Sequence, residues 1–364
     1  MAGLDDRHPD DIVVDEKQLH ALTVDLFRHA GSEEREAKLI ADHLVMANLS
    51  GHDSHGVGMI PRYVINIKAG LTPLNRHAQV VLDAGGLLVV DGNAGIGQVA
   101  AFEAMQIAIE RTKMHGVCAM ALRNCSHIGR IGHWGEMAAT AGLISTHYVN
   151  VIGHKPYVAP FGGADARFST NPYCCAIPRG DQPPFILDFA TSRVAQGKVR
   201  VAHNRKKPLF EGALIDRHGN PTTDPGVMFQ DPMGAILTFG EHKGYGMALA
   251  CELLAGAFGT GTMHPATMER GATINNMFTF LVDPGKIGDR AAVLAEIERA
   301  LGWVIASPPA AGVDKVMVPG DPERKMRAHR RAQGVPIDPT TWGEMLEAGA
   351  KVGMNRVDLE KYRG

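Results

Sequence analysis

Between residues 78 and 93 the hydrophobic pattern changes period. The stretch "AQVVLDAGGLLVVDGN" holds two apolar runs divided by Ala84, Gly85 and Gly86, which reads as two strands and a turn. Before it the spacing is helical: Leu19, Leu22, Leu26 and Phe27 line one face of "EKQLHALTVDLFRHA", which stops at Gly31. A second helix follows Ser32, with Glu33 and Glu34 in its first turn where their charge suits the macrodipole, and ends near Leu49. A shorter one runs from about Met59 to Ala69. After the hairpin, helices and strands alternate. "QVAAFEAMQIAIERTKMHG" reads as helix, "VCAMAL" as strand, "GHWGEMAATAG" as helix and "LISTHYVNV" as strand. Further strands are expected at "YCCAIPR", "PFILDFA" and "INNMFTFLV", and further helices at 193–203, 244–257 and 289–303. "PTTWGEMLEAGAKVG" returns to helix and is expected to pack back on the N-terminal helices. The predicted fold is α/β, with a helical region over 1–74, a mixed-sheet domain over 75–310 and a helical region over 311–364 packed on the first.

A doubly wound dinucleotide-binding sheet carries G-x-G-x-x-G between a strand and a helix. Here "GNAGIGQVAA" lacks the third glycine and "GTGTMHP" follows a helix. The chain therefore either binds no dinucleotide or binds it on a non-Rossmann fold. Its formal net charge of -2 supplies no field to attract nucleic acid or an anionic membrane, which favours small-molecule chemistry. The basic stretch "ERKMRAHRRAQG", residues 323–334, reads as a solvated helix face. Five cysteines without a C-x-x-C pair read as buried thiols in a reducing compartment. "MAGLDDRHPDD" lacks the charged and apolar parts of a signal peptide and no run approaches 18 apolar residues, so a soluble cytoplasmic protein is expected.

Five short stretches carry the polar chemistry. "GHDSHGVGMIPRY", residues 51–63, sets His52 and His55 around Asp53 and Ser54, with Gly56 and Gly58 behind. A metal needs three or four ligands, and this loop offers part of a set; no metal site is expected. Two readings remain: histidines that cap and fill a loop, or a proton-exchanging His55 that the glycines leave open to substrate. In "RNCSHIGRIGHW", His127 stands at a strand end, while Gly129 and Gly132 open a helix whose amides suit an anion. Arg130 adds a fork that fits a carboxylate, and His133 falls inside the helix. The others are "PFILDFATS", which runs into Asp188 and Thr191, "EHKGYG", with His242 and Lys243 at a helix start, and the turn "VPGDPERK".

With "APFGG", "STNP" and "HKGYGMALACELL", these stretches in this order resemble the type-2 malate/L-lactate dehydrogenase family, and within it the bacterial hydroxycarboxylate dehydrogenases. The resemblance covers essentially the whole chain. It implies an NAD(P)-dependent oxidoreductase of 2-oxo and 2-hydroxy acids, with NAD the expected cofactor and NADP the alternative, a non-Rossmann cofactor domain and a homodimer. It makes His55 the proton donor, close to the nicotinamide, and puts His127, Gly129, Arg130 and Ile131 along the active-site wall and cofactor. Leu187, Asp188, Phe189, Ala190 and Thr191 would form part of the dinucleotide cleft; His242, Lys243, Asn275 and the turn Gly320, Asp321, Pro322 and Glu323 would supply other cofactor contacts. Many relatives carry arginine four residues after the histidine, where this chain has Met59, and H-F-G-A-A-G where it has "HIGRIG". The expectation is that Arg130, or failing it Arg62, grips the substrate carboxylate while Met59 widens the pocket for a larger apolar or aromatic side chain. His127 would polarise the carbonyl or hold His55 in register. The competing readings are an NADPH-dependent reductase of cyclic 2-imino acids and a non-catalytic metabolite-binding protein on the same scaffold.

Overall fold

The computed structural model describes residues 7–355 and 360–362. The first six residues, on which part of the leader reading rests, lie outside them.

A short strand, β1 (Ile12–Val14), leads into α1 (Glu16–His29), α2 (Glu34–Leu49) and α3 (Ile60–Lys68). Asp15 caps α1 by accepting from the amides of Lys17 and Gln18. The hairpin β2 (Gln79–Asp83) and β3 (Leu87–Asp91) follows, then α4 (Gly97–His115), β4 (Val117–Cys125), α5 (Gly132–Thr140), β5 (Ile144–Ile152), β6 (Tyr173–Arg179) and β7 (Gln182–Phe189). Next come α6 (Gln196–Asn204), β8 (Leu214–Ile215), β9 (Pro221–Thr222), β10 (Ala235–Ile236), α7 (His242–Phe258) and the one-turn α8 (Pro265–Met268). The chain continues through β11 (Ile274–Val282), α9 (Pro284–Ile287), α10 (Arg290–Ile305), α11 (Asp321–Gln333), β12 (Val335–Ile337) and α12 (Pro339–Lys351). None of the described helices is long and apolar enough to cross a membrane.

The large sheet has seven strands in the order β2-β3-β4-β11-β5-β6-β7. Its one parallel pair is β3 with β4, joined by α4 as the crossover such a pair requires. The late strand β11 inserts antiparallel between β4 and β5, so a segment more than a hundred residues downstream completes the centre of the sheet. A separate three-stranded sheet, β10-β8-β9, has its own small core around Val158, Val199, Leu214 and Ile236. Neither that sheet nor the pairing of β1 with β12 is legible in the hydrophobic period, because the strands are two or three residues long.

Both ends of the chain share one core. Leu19, Leu26, Phe27, Leu44 and Ile60 pack with Val335, Trp342 and Met345. Helix α11 joins this region through charge, and here the expected solvated face is corrected. Arg330 is 1% exposed; its guanidinium donates to Asp53 at 2.7 and 3.0 Å and to the Asn48 carbonyl. Arg327 donates to Ser50 at 2.8 Å and to Glu136. The basic run reads as solvated by composition, but two of its arginines face inward onto acids contributed by other elements.

Removing Arg330 leaves the Asn48 carbonyl without its donor and takes a cation from Asp53, whose side chain is 48% exposed and can rehydrate, at about 1–3 kcal/mol. Arg330→Met should lower the unfolding free energy by about that amount, whereas Arg331→Met, at an exposed pair with Glu16, should change it by about 0.5 kcal/mol or less. Urea unfolding of the two variants against wild type checks the contrast.

Candidate active site

Asn48, in the last turn of α2, organises the loop that presents His55. Its Oδ1 accepts from the Val57 amide at 2.8 Å and its Nδ2 donates to Asp53 at 2.6 Å. The His55 amide closes a turn onto the His52 carbonyl at 2.9 Å. Gly56 is required by packing rather than by the expected opening to substrate. A Cβ on Gly56 would lie 2.1 Å from Asn48 Oδ1, so that glycine admits the organising amide. A Cβ on Gly58 would make an ordinary 3.5 Å contact with Thr341.

His127, just past the end of β4, meets His55 from the other side. His55 Nδ1 lies 3.2 Å from His127 Nε2, and the rings stack with centroids 5.2 Å apart and an interplanar angle of 8°. Two residues without an expected role extend the contact. Tyr63, on α3, places its hydroxyl 2.6 Å from His127 Nδ1, and Gln98, in the first turn of α4, donates to that hydroxyl at 2.7 Å. Tyr63 closes the first polar motif and so was in view; Gln98 sits among alanines and valine on a buried helix face, and nothing local marks it. Burial pushes the His127 imidazole down to about 4, with the charges of Arg62 and His154 adding to the shift. Burial, then His127 and His52, hold His55 well below the ordinary imidazole value. Both rings are neutral at neutral pH.

A narrow cleft opens beside the pair, lined by Met59, Arg62, Tyr63, Asn66, Ile96 and His127 among others. Arg62 is exposed and is the charged member of this lining. Arg130 is not in it. That guanidinium is 2% exposed, 2.8 Å from Glu136 and 3.7 Å from Asp188. Its charge is already matched by two carboxylates, which corrects the expectation that it grips the substrate. Burial raises the Glu136 carboxyl, but Arg130 and Arg327 outweigh that and hold it below its ordinary value. For Asp188 burial wins and its carboxyl is raised, against the pull of Arg130.

The amide expected to receive a bound anion is also taken. Gly132, at the start of α5, donates to Asp188 at 2.9 Å, so the chain's own carboxylate fills the helix N-terminus. The Arg130 amide donates to His43 at 2.8 Å. Gly129 adopts φ +75°, and a Cβ there would lie 2.0 Å from His43 Nε2. His133 packs against both His43 and Trp134, which also stack on each other.

The remaining candidates divide by exposure. Leu187, Asp188, Phe189 and Ala190 are partly open at the end of β7. Thr191 is fully buried and donates to the carbonyls of Thr170 and Asn171. Asn275 is 2% exposed, accepts from the Ile128 amide at 3.0 Å and donates to the Asn150 carbonyl at 3.1 Å. Ile131 packs in the sheet core. The side chains of these three make their contacts inside the protein. Gly320 caps α11 with φ +96°, Asp321 accepts from the Val318 amide, Pro322 is exposed in the first turn, and Glu323 lies 3.4 Å from His52. His242 and Lys243 are exposed at the start of α7 and border a groove with Arg193 and Glu241. That groove adjoins the end of β7 through the Phe239 amide, which donates to the Thr191 carbonyl at 3.0 Å.

Residues 14–346 match the family model described as malate/L-lactate dehydrogenase. The chain belongs to that family. It is 46% identical over 352 residues to hydroxycarboxylate dehydrogenase B of Escherichia coli strain K12, covering 96% of each chain. Among solved structures it resembles sulfolactate dehydrogenase from Methanocaldococcus jannaschii, with a TM-score of 0.85, 31% identity and coverage of 95% and 99% of the two chains. It also resembles the Δ1-piperideine-2-carboxylate reductase from Pseudomonas syringae, with a TM-score of 0.77, 26% identity and coverage of 92% and 99%. Membership in a dehydrogenase family confirms the resemblance drawn from the motifs and the expected mixed α/β fold with helical ends.

The depressed histidines make a pH prediction. Above about pH 6.5 both folded and unfolded chains carry them neutral. As pH falls toward 4, the unfolded chain takes up protons that folded His127 and His133, each held down to about 4, do not accept, so stability is lost across that window. Imidazole NMR titration of the free protein should place the His127 midpoint near 4, with urea stability falling in parallel.

Proposed function

We propose that this protein interconverts 2-oxo and 2-hydroxy acids, with a nicotinamide nucleotide, preferentially NAD, as the redox partner. The observation that carries this reading is the neutral His55–His127 pair beside a cleft whose charged wall is Arg62. The donor set fits a dinucleotide. Arg193 and Lys243 bring two cations to a groove that His242 and one carboxylate, Glu241, also line, a net positive lining suited to phosphates, and it adjoins the partly open end of β7. Beside Asp188, two buried nitrogens of Arg130, Nε and Nη1, have no hydrogen-bond partner. When bound, the nicotinamide supplies or removes hydride at the substrate's C2. The preference for NAD rests on the resemblance to bacterial hydroxycarboxylate dehydrogenases.

The protein's own groups divide the rest of the work. Arg62 holds the substrate carboxylate and so fixes the orientation of C2. Met59 and Ile96 form an apolar wall that takes the side chain. His55 exchanges the proton at the C2 oxygen through Nε2, since Nδ1 is engaged by His127. In reduction it gives that proton, and in oxidation it takes it. The lowered His55 value suits the base role at neutral pH and makes the acid role depend on acidification. The likeness to the Pseudomonas syringae reductase favours a second substrate class, cyclic 2-imino acids, which present the same carboxylate geometry around C=N. We also read the protein as a cytoplasmic homodimer: all five cysteines are free thiols, and apolar side chains stand exposed on β2 and at the end of α10, where Trp303 is 83% exposed.

Turnover of NADH and NADPH with a panel of 2-oxo acids and cyclic imines tests the reading; no turnover of any of them would leave only a metabolite-binding role. Arg62→Met should raise KM for the preferred acid by about 10- to 100-fold, the worth of one charged hydrogen-bonded contact, whereas Arg130→Met should lower stability more than it moves KM. His55→Ala should cut kcat by about 10²- to 10⁴-fold with nucleotide affinity retained. For wild type, kcat/KM of reduction should rise as pH falls toward the depressed His55 value, and that of oxidation should fall. A reduction rate independent of pH would remove His55 from the proton step.

A further inference from the structure

The strongest unexplained group near the site is Gln98. It is 1% exposed, its Nε2 donates to Tyr63 at 2.7 Å, and its Oε1 is buried with no hydrogen-bond partner. A buried acceptor left unpaired costs about 1–3 kcal/mol. Turning the amide would pair Oε1 with the Tyr63 hydroxyl and leave the NH2 unpaired instead. Each orientation therefore leaves one end of the amide unmatched, so turning it trades one unpaired group for another: the orientation in the structure is the resting one and the turned one is reachable from it.

The two orientations order the protons in opposite senses. As the structure stands, the Tyr63 oxygen accepts from Gln98, so its O–H donates to His127 Nδ1. His127 then carries its proton on Nε2 and donates to His55 Nδ1, and neutral His55 carries its proton on Nε2. In that state Nε2 can donate a hydrogen bond to a substrate oxygen but cannot take a proton from one. With the amide turned, Tyr63 donates to Gln98, His127 donates from Nδ1 to the Tyr63 oxygen, and His55 donates from Nδ1 to His127. His55 Nε2 is then bare and can accept the substrate's hydroxyl proton. The resulting imidazolium is stabilised, because its Nδ1–H still faces an acceptor. Burial raises the Tyr63 phenol well above its ordinary value, so the chain of protons ends at a neutral hydroxyl.

We propose that Gln98 is a positioning residue whose amide orientation decides whether His55 presents Nε2 as donor or acceptor. This rests on the reading of His55 as the proton-exchanging group. The other titratable or charged groups around the pair are His43 on α2, Arg62 on α3, His52 in the preceding loop, Arg130 before α5 and His154 after β5. Among the described residues none of them is hydrogen-bonded to either ring of the pair.

Ring ¹⁵N NMR of histidine-labelled full-length protein at pH 8, free of nucleotide, reads the proton positions directly. Wild type should show His55 and His127 protonated mainly on Nε2. Gln98→Glu, whose carboxylate only accepts, should move both to Nδ1, raise the pKa seen in the oxidation profile by about one unit, and change KM by about twofold or less. Gln98→Met should leave mixed tautomers and lower kcat by about tenfold or more, again with KM nearly unchanged. Tyr63→Phe cuts the same chain from α3 and should give the same tautomer mixture, which covers the case of a Gln98 variant that does not fold. Unmoved tautomers in Gln98→Glu, or a wild-type kcat and pH profile in Gln98→Met, would overturn the role of Gln98 even if the enzyme turns over hydroxy acids. Reversed tautomers in a protein that turns over none would instead overturn the dehydrogenase reading and leave the proton ordering in place.

Discussion

Arg330 holds the loop that carries His55. Its guanidinium reaches from α11, near the end of the chain, to the Asn48 carbonyl and the Asp53 carboxylate. Asn48 in turn binds Asp53 and the Val57 amide. The second of the loop's two 3₁₀ turns is anchored by Val57 in the core, but the first, Asp53–His55, buries no side chain, and the charge of Arg330 supplies what packing does not. The hydrogen bonds of that guanidinium to a carbonyl and a carboxylate tolerate few alternative geometries. That property suits a loop whose task is to hold one imidazole against another, and it makes the carboxyl-terminal helices part of the site although none of them reaches the cleft.

The same logic separates the two arginines beside the histidine pair. Arg130 is enclosed by Glu136 and Asp188 and anchors the junction of α5, β7 and α11. Arg62 stands one turn along α3 from Met59, open to solvent at the cleft, and its field reaches His127. A guanidinium already matched by carboxylates has little to gain from another; one facing water can exchange that water for a ligand. In the proposed reaction substrate charge and proton exchange would meet on α3 and the two loops, while the polar cluster around Arg130 ties α5, β7 and α11 together.

Much of the architecture was legible. The helices over Glu16–His29 and Glu34–Leu49, the hairpin, and the strands of the large sheet follow from hydrophobic period and glycine punctuation. The neighbours within the sheet were not: β11 between β4 and β5 is decided by which apolar faces fit, and no local pattern records it. At the site, His55 and His127 stand out because histidines beside glycines are conspicuous in a sequence. Their partners Tyr63 and Gln98 were not assigned, since one buried amide on an amphipathic helix is indistinguishable from core filling until its neighbour is known.

The sequence by itself determined the kinds of element, their order, the family, and the polar loops from which the site is built. These are local properties, carried by periods of two and 3.6 residues and by motifs a dozen residues long. Only the tertiary structure decided which arginine is spent on an internal carboxylate, which glycine makes room for Asn48, and which four hydrogen-bonding side chains stand in one line. Those outcomes depend on desolvation and on partners tens to hundreds of residues away, and a buried charge or amide takes its meaning from what the fold places opposite it.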